Sequence, residues 1–231
     1  MTHNLLLELL PAPERRRLLA QCNPLPLVAG VQLAVQDETA RELLFPVSGC
    51  LVQLAGIPDH PLLQVAMLGH EGCLGAQPVV AGHHPLGARV QGTGLAWRLP
   101  ALSLRQHLSQ APALLRLLTR YRQVQLRQLA TAAACLHFHP LAARLARWLL
   151  MASDRADGDG FAVTHEQMAG WLGARRVGVT VAAGALQAAG LISYHRGHVQ
   201  VHNRGGLLAA ACSCYAQDLA SYRLGMGLPA A

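Results

Sequence analysis

Lysine is missing from this chain: all nineteen basic residues among its 231 are arginine. A replacement that complete is what GC-rich codon usage produces, so arginine content alone does not argue for nucleic acid. Acids are scarce too. Twelve Asp and Glu leave a net charge of +7 and a pI near 9.6, a balance that suits a polyanionic partner. No paired carboxylates, Ser/His/Asp order or phosphate-cradling glycine loop stands out, which points to a binding protein rather than an enzyme. No apolar run reaches the roughly 20 residues of a membrane span. The opening MTHNLLLELLPAPERRR lacks the basic-then-apolar order of a signal peptide. A cytoplasmic protein with no membrane partner is expected. The six cysteines (Cys22, Cys50, Cys73, Cys135, Cys212 and Cys214) are scattered, and in a reducing compartment they are expected as free thiols.

What is present is organised around Thr164–Tyr194. Thr164 can cap a helix start while Gln167 reaches back, the pattern of a capping box. Met168, Ala169 and Leu172 form one apolar face before Gly173 breaks the helix. A second helix is predicted from about Arg175 to Gly190, with Val179, Ala182, Ala183 and Leu186 inward at i, i+3, i+4 and i+7. Its outer face, Arg175, Arg176, Val177, Thr180, Val181, Gly184 and Gln187, contains no acid. Small and β-branched residues beside two arginines suit a flat partner. The N-terminal residues of a second helix in a helix-turn-helix meet base edges in the major groove, where arginine can pair with guanine and methyl groups can meet thymine. LISYHRGHVQV then reads as a β-hairpin wing around Arg196-Gly197. Thr164, His195, Arg196 and His198 complete the candidate DNA contacts.

Upstream, Leu5–Leu10 and Glu14–Cys22 suggest short helices. Leu27–Leu99 shows short apolar runs cut every eight to ten residues, with Val31, Leu33, Val35 and Leu95, Trp97, Leu99 alternating; this signals an antiparallel sandwich or barrel. A helix over Ala113–Ala134 carries a stripe of Leu114, Leu117, Tyr121 and Val124, which pairing with a second copy would bury. Leu136–Pro140 is the expected hinge, because Pro140 biases His139 towards an extended form. A helix over Leu141–Ala152, a strand over Phe161–Val163 and a single helix over Leu207–Met226 packed back on the DNA-binding part complete the prediction.

GARRVGVTVAAGALQAAGLISYHRGHVQV resembles the winged helix-turn-helix of Crp/Fnr-type bacterial transcription regulators. LFPVSGCLVQL and VAMLGHEGCLGAQPVV resemble the β-roll of the same regulators, so the likeness covers nearly the whole chain. It implies an α+β molecule: a cyclic-nucleotide-binding-like antiparallel β-roll, jelly-roll-like, over 1–111; a long dimerisation helix and hinge over 112–139; and a winged helix-turn-helix over 140–231. It further implies a homodimer on a two-fold symmetric double-stranded operator, with RNA polymerase as a further partner. Arg176 matches the family's guanine-reading arginine. Val177 and Val181 stand where some members have Glu and Arg, so no half-site sequence carries over.

The resembling receptors hold a cyclic nucleotide with a glutamate after a glycine and an Arg-Ser or Arg-Thr pair. Here those positions are Ala76 in Gly75-Ala76-Gln77, and Leu86-Gly87. Arg89 lies three positions late in an alternating strand, on the other face. Cyclic-nucleotide binding is therefore not expected. An Fnr-type iron–sulfur cluster needs a tight N-terminal cysteine group, and Cys22 stands alone. Haem would draw on Cys73 with His70, His83 or His84, and is not the preferred reading; no cofactor is predicted. His137-x-His139, Cys212-x-Cys214 and His195, His198, His202 lack the spacing of a closed zinc site, so no metal is expected. The rival functions are a haem- or small-ligand-sensing regulator whose output is protein contact, and a cyclic-nucleotide-gated regulator.

Overall fold

The computed structural model describes residues 4–76, 82–107, 111–156, 158 and 160–229; Gln77, Asp157 and Asp159 lie outside them. Two short helices, α1 (Leu5–Glu8) and α2 (Ala12–Leu19), precede seven strands: β1 (Asn23–Leu27), β2 (Gln32–Ala34), β3 (Glu42–Pro46), β4 (Cys50–Ala55), β5 (Leu63–Leu68), β6 (Gly87–Gly92) and β7 (Gly94–Pro100). All pair antiparallel, in the orders β1-β7-β3 and β2-β6-β4-β5. Both sheets feed one apolar core, from Leu27, Leu43 and Leu99 on one side to Leu51, Leu68 and Val90 on the other. The antiparallel β-roll expected from the short interrupted runs is present. One alternation falls differently: Val31 and Val35 are exposed and Ala34 is buried, because β2 is a three-residue edge strand whose register to β6 is irregular.

After α3 (Ala101–His107) comes the long helix α4 (Pro112–Phe138), longer at its C-terminus than periodicity predicts. The buried Glu14 carboxylate accepts from the Leu114 N–H at 2.7 Å. It thereby satisfies one of the unpaired donors of the first turn and places a negative charge at the positive end of the dipole. The helix stops at His139, whose extended backbone (φ −110°, ψ 139°) precedes Pro140 as the proline rule requires; the break is thus confined to the end of the expected hinge.

The rest is α5 (Leu141–Ser153), β8 (Gly160–Ala162), α6 (His165–Leu172), α7 (Arg176–Ala188), β9 (Ile192–His195), β10 (His198–Val201), α8 (Arg204–Ala210) and α9 (Cys214–Met226). Two expectations need correction here. The final helix is interrupted: Ala211 is extended (φ −77°, ψ 155°), ending α8 before α9 begins. And α9 runs along α4, where Met226 and Tyr222 join the core of the roll. Gly225 permits this approach, since a Cβ there would meet a Val124 methyl.

The same packing revises the seam. Leu114, Leu117, Tyr121 and Val124 are 0–6% exposed within one chain, filled in by the roll and α9. Gly72 sits so close to Tyr121 that a Cβ would strike its hydroxyl. The apolar stripe on α4 is real, but its own chain covers it. On the opposite face, Leu115, Thr119, Leu126, Ala130 and Ala133 are exposed.

The C-terminal part is docked on the roll. Arg155 donates to Glu71 through Nε (2.9 Å) and Nη2 (2.6 Å), and both side chains are largely buried. The Tyr222 hydroxyl donates to the Glu71 carbonyl at 2.7 Å, and Trp148 Nε1 to Gln64 Oε1 at 3.1 Å. Among the described residues, no helix is long and apolar enough to cross a membrane.

Candidate nucleic-acid interface

The capping box forms as the residues dictate. Thr164 Oγ1 accepts from the Gln167 N–H (3.1 Å), and Gln167 Oε1 accepts from the Thr164 N–H (2.8 Å). Met168, Ala169 and Leu172 are buried, and Gly173 ends α6 in the left-handed region at φ 57°. That turn aims α7 outward over its own buried face of Val179, Ala182, Ala183 and Leu186, each at most 7% exposed.

Arg175 is the N-cap of α7 and makes no side-chain capping bond. The first turn of this thirteen-residue helix thus keeps N–H groups that no cap side chain satisfies, beside two arginines, a place that favours an anion. Val177 and Val181 are 73% and 68% exposed, a large apolar exposure for a solvated helix. Arg176 Nε is 3.8 Å from Glu166 Oε2 on α6, but both side chains are mostly in solvent. Such a pair contributes little and leaves the guanidinium free to swing.

Thr180 and Gln187 are exposed yet already occupied. Thr180 Oγ1 donates to the Arg176 carbonyl (3.0 Å) and lies 3.0 Å from His165 Nδ1. The hydroxyl thus sits between a carbonyl and an imidazole nitrogen, within hydrogen-bond distance of both. The ring stacks on Tyr194 at 4.2 Å, and its Nε2 is buried without a partner. Burial, then the Arg176 charge, holds the His165 pKa below its usual value. Gln187 Oε1 accepts from the Tyr194 N–H at 3.0 Å, tying α7 to the wing. Thr164, Thr180 and Gln187 thus brace the interface from within, whereas Arg175, Arg176, Val177 and Val181 face outward.

The wing is a three-stranded sheet in the order β8-β10-β9, with its tip at Arg196 (φ 47°) and Gly197 (φ 79°). Two successive positive φ angles make the tight turn that matches strand twist. His195, Arg196 and His198 are exposed at that tip. The surface formed by the start of α7 and the wing is therefore cationic, with Glu166 beside it.

The other candidate sites lie elsewhere. Ala76 is 4% exposed within the core of the roll, and Gly87 is buried in β6. Arg89 projects away from the core-facing Ala88 and Val90, and its Nε is buried without a hydrogen-bond partner. Cys73 is fully buried in the same core, where desolvation pushes its thiol up. Cys22 donates to the Leu18 carbonyl at 3.3 Å, and burial pushes its pKa up to about 12. Sequence spacing overlooks one grouping: the ligand atoms of Cys135, His139, Cys212 and Cys214 all lie within 4.8 Å of one another. Spacing rules seek ligands close together in sequence, and these come from segments 77 residues apart. The available signal is the pair of short-spaced groups, His137-x-His139 and Cys212-x-Cys214, which contain three of the four residues.

Residues 143–210, from α5 to α8, match the family model of the Crp-like helix-turn-helix domain. No curated protein matches the sequence. Solved structures match the fold at low identity. FixK2 of Bradyrhizobium japonicum superposes with a TM-score of 0.70 at 17% identity, over 83% of this chain and 98% of its own. The c-di-GMP-responsive global regulator CLP of Xanthomonas campestris gives 0.65 at 19%, over 83% and 99%. A transcriptional regulator of the Crp/Fnr family from Eubacterium rectale gives 0.68 at 14%, over 91% and 99%. Residues 143–210 are thus similar to the Crp-like helix-turn-helix domain, and the chain as a whole shares the fold of these solved regulators.

Proposed function

We propose that the protein is a sequence-specific, DNA-binding transcription regulator of Crp/Fnr type that works as a cytoplasmic homodimer by binding rather than catalysis. The observation that carries this reading is the outward face of α7. Arg175, Arg176, Val177 and Val181 stand exposed on a helix whose other side is fully packed. In the major groove, Arg176 would read guanine and the two valines thymine methyls, while Arg175 and the wing tip hold phosphates. With few polar readers, part of the specificity would come from DNA shape.

Two copies would pair through the exposed α4 stripe of Leu115, Thr119, Leu126, Ala130 and Ala133, at the three-, four- and seven-residue intervals of a helical seam. Such a dimer would present two α7 helices to half-sites about 34 Å apart or a multiple of that. Contact with RNA polymerase would follow from that placement. The roll would act without a cyclic nucleotide: the ribose-holding carboxylate is replaced by Ala76, packed in apolar surroundings, and Leu86-Gly87 supply no phosphate partner. Titration of duplex DNA at several salt concentrations tests the proposal. The expected result is a steep linear fall of log affinity with log salt, unaffected by cyclic AMP; weak binding with a flat slope would remove it.

A further inference from the structure

Four side chains converge where the long helix ends. Cys135 lies in the final turn of α4, and His139, its C-cap, donates its backbone N–H to the Cys135 carbonyl at 3.1 Å, which holds the two residues together at the helix end. Cys212 lies in the break between α8 and α9, and Cys214, after Ser213, is the first residue of α9. Cys135 Sγ is 3.5 Å from Cys212 Sγ, Cys214 Sγ is 3.5 Å from His139 Nδ1, and all four ligand atoms lie within 4.8 Å of one another. We propose that Cys135, His139, Cys212 and Cys214 form a tetrahedral Cys3His site for a zinc-class divalent ion, which joins the end of α4 to the last two helices.

Ligand type and spacing both support this. A tetrahedral ion with M–S near 2.3 Å and M–N near 2.05 Å places its ligands about 3.6–3.8 Å apart, close to the 3.5 Å separations already present. Closing the remaining edges from 4.8 Å needs only small side-chain rotations. Soft thiolates with one imidazole exclude magnesium or calcium, which want oxygen. An iron–sulfur cluster needs room for several iron and sulfide atoms between its cysteines, and four ligands this close leave room for one ion. A Cys135–Cys212 disulfide would account for two of the four groups and leave Cys214 and His139 without a purpose.

The surroundings suit the bound form. Coordination would release the three thiol protons and leave a complex of net charge −1. Arg147 stands beside it, close enough for its charge to act on Cys212 and Cys214. One arm of Arg147 is engaged with Asp218 at 2.5 Å, while its Nε is buried without an acceptor. A metal-bound thiolate accepts hydrogen bonds and carries the charge opposite to a guanidinium, and groups just outside a metal's ligands commonly act on it in that way. The three cysteines are buried and His139 is half-buried, so the site is closed and fully protein-ligated, as structural ions require. Its position matters mechanically. Pro140 interrupts the chain between α4 and α5, and the ion would bridge that interruption from the other end of the C-terminal part.

The test uses the full chain, reduced, stripped of metal and reloaded with excess zinc or cobalt, then desalted. One equivalent of metal per chain is expected. Cobalt should show thiolate charge-transfer bands and the intense visible absorption of tetrahedral geometry, and metal should raise the melting temperature. Cys212→Ser/Cys214→Ser should retain under a tenth of an equivalent, whereas Cys22→Ser should keep the full amount. Should the double variant fail to fold, the wild-type cobalt spectrum decides. Octahedral cobalt bands, or folded wild type that retains no metal, would overturn the proposal. So would a double variant that binds as wild type, or a Cys135–Cys212 disulfide in protein prepared without oxygen.

Discussion

The two faces of α4 make opposite predictions, and one pair of substitutions separates them. Leu117 is 6% exposed, packed in its own chain's core, whereas Leu126 is 63% exposed on the far side of the same helix. Leu117→Ala removes a buried side chain that the roll and α9 cannot collapse onto, at a cost of about 2–5 kcal/mol. Leu126→Ala trims a side chain that is mostly in solvent, and its direct cost to the fold should stay within about 0.5 kcal/mol. Leu126→Arg, by contrast, puts a charge in the proposed seam. Sedimentation should therefore show Leu126→Arg as a folded monomer and Leu117→Ala as a weakened protein that still dimerises when folded. Urea unfolding at two protein concentrations adds a second reading. Wild-type stability should rise with concentration, as linkage to assembly demands, and that of Leu126→Arg should not. The reasoning fails if Leu117→Ala is as stable as wild type, or if Leu126→Arg sediments as a dimer of unchanged affinity.

Other perturbations follow from individual contacts. Glu71→Ala leaves the buried Arg155 guanidinium uncompensated and should lower stability by about 3–5 kcal/mol in denaturant titrations. Gly225→Ala should cost about 1–3 kcal/mol by overpacking Val124, and adding Val124→Ala should recover part of that loss in a double-mutant cycle. Burial lowers the pKa of His84, with Glu38 opposing it, and burial then Arg176 lower that of His165. Both residues therefore favour the neutral ring in the folded state. Their contribution is present above the ordinary value of 6.5 and is lost as pH falls below it towards the folded pKa values. Melting temperature should fall from pH 7 to pH 5.5, and less steeply in His84→Gln; an equal slope would discount His84.

The parts of the molecule legible in the sequence are those decided locally. Thr164, Gln167 and Gly173 set the first recognition-domain helix by capping and turn chemistry, and Val179 to Leu186 show their face by period alone. Arg196-Gly197 forms the wing turn that its residues suggest. What spans the chain was not legible. Periodicity reveals an apolar stripe on α4 but not what covers it, and the cover arrives from Tyr222 and Met226 at the far end. The hydroxyl of Thr180 and the amide of Gln187 look free in a helical projection, yet they bond to a neighbouring helix and a wing strand. The Cys135 cluster escaped for the same reason, because its two halves are ordinary pairs until the fold joins them.

The central claim is that α7 reads sequence, and Arg176 tests it most directly. Its neighbour Arg175 has the same charge but sits about 100° away around the helix and should serve a phosphate. An operator selected from random duplexes would be varied one base at a time and titrated with wild type, Arg176→Ala and Arg175→Ala at two salt concentrations. Arg176→Ala should lose about 1–3 kcal/mol of discrimination at one symmetric pair of positions. Arg175→Ala should weaken every duplex alike and lower the salt slope by about one. If Arg176→Ala instead lowers all affinities equally and keeps the wild-type base preference, the helix does not read DNA through this residue and the account is contradicted.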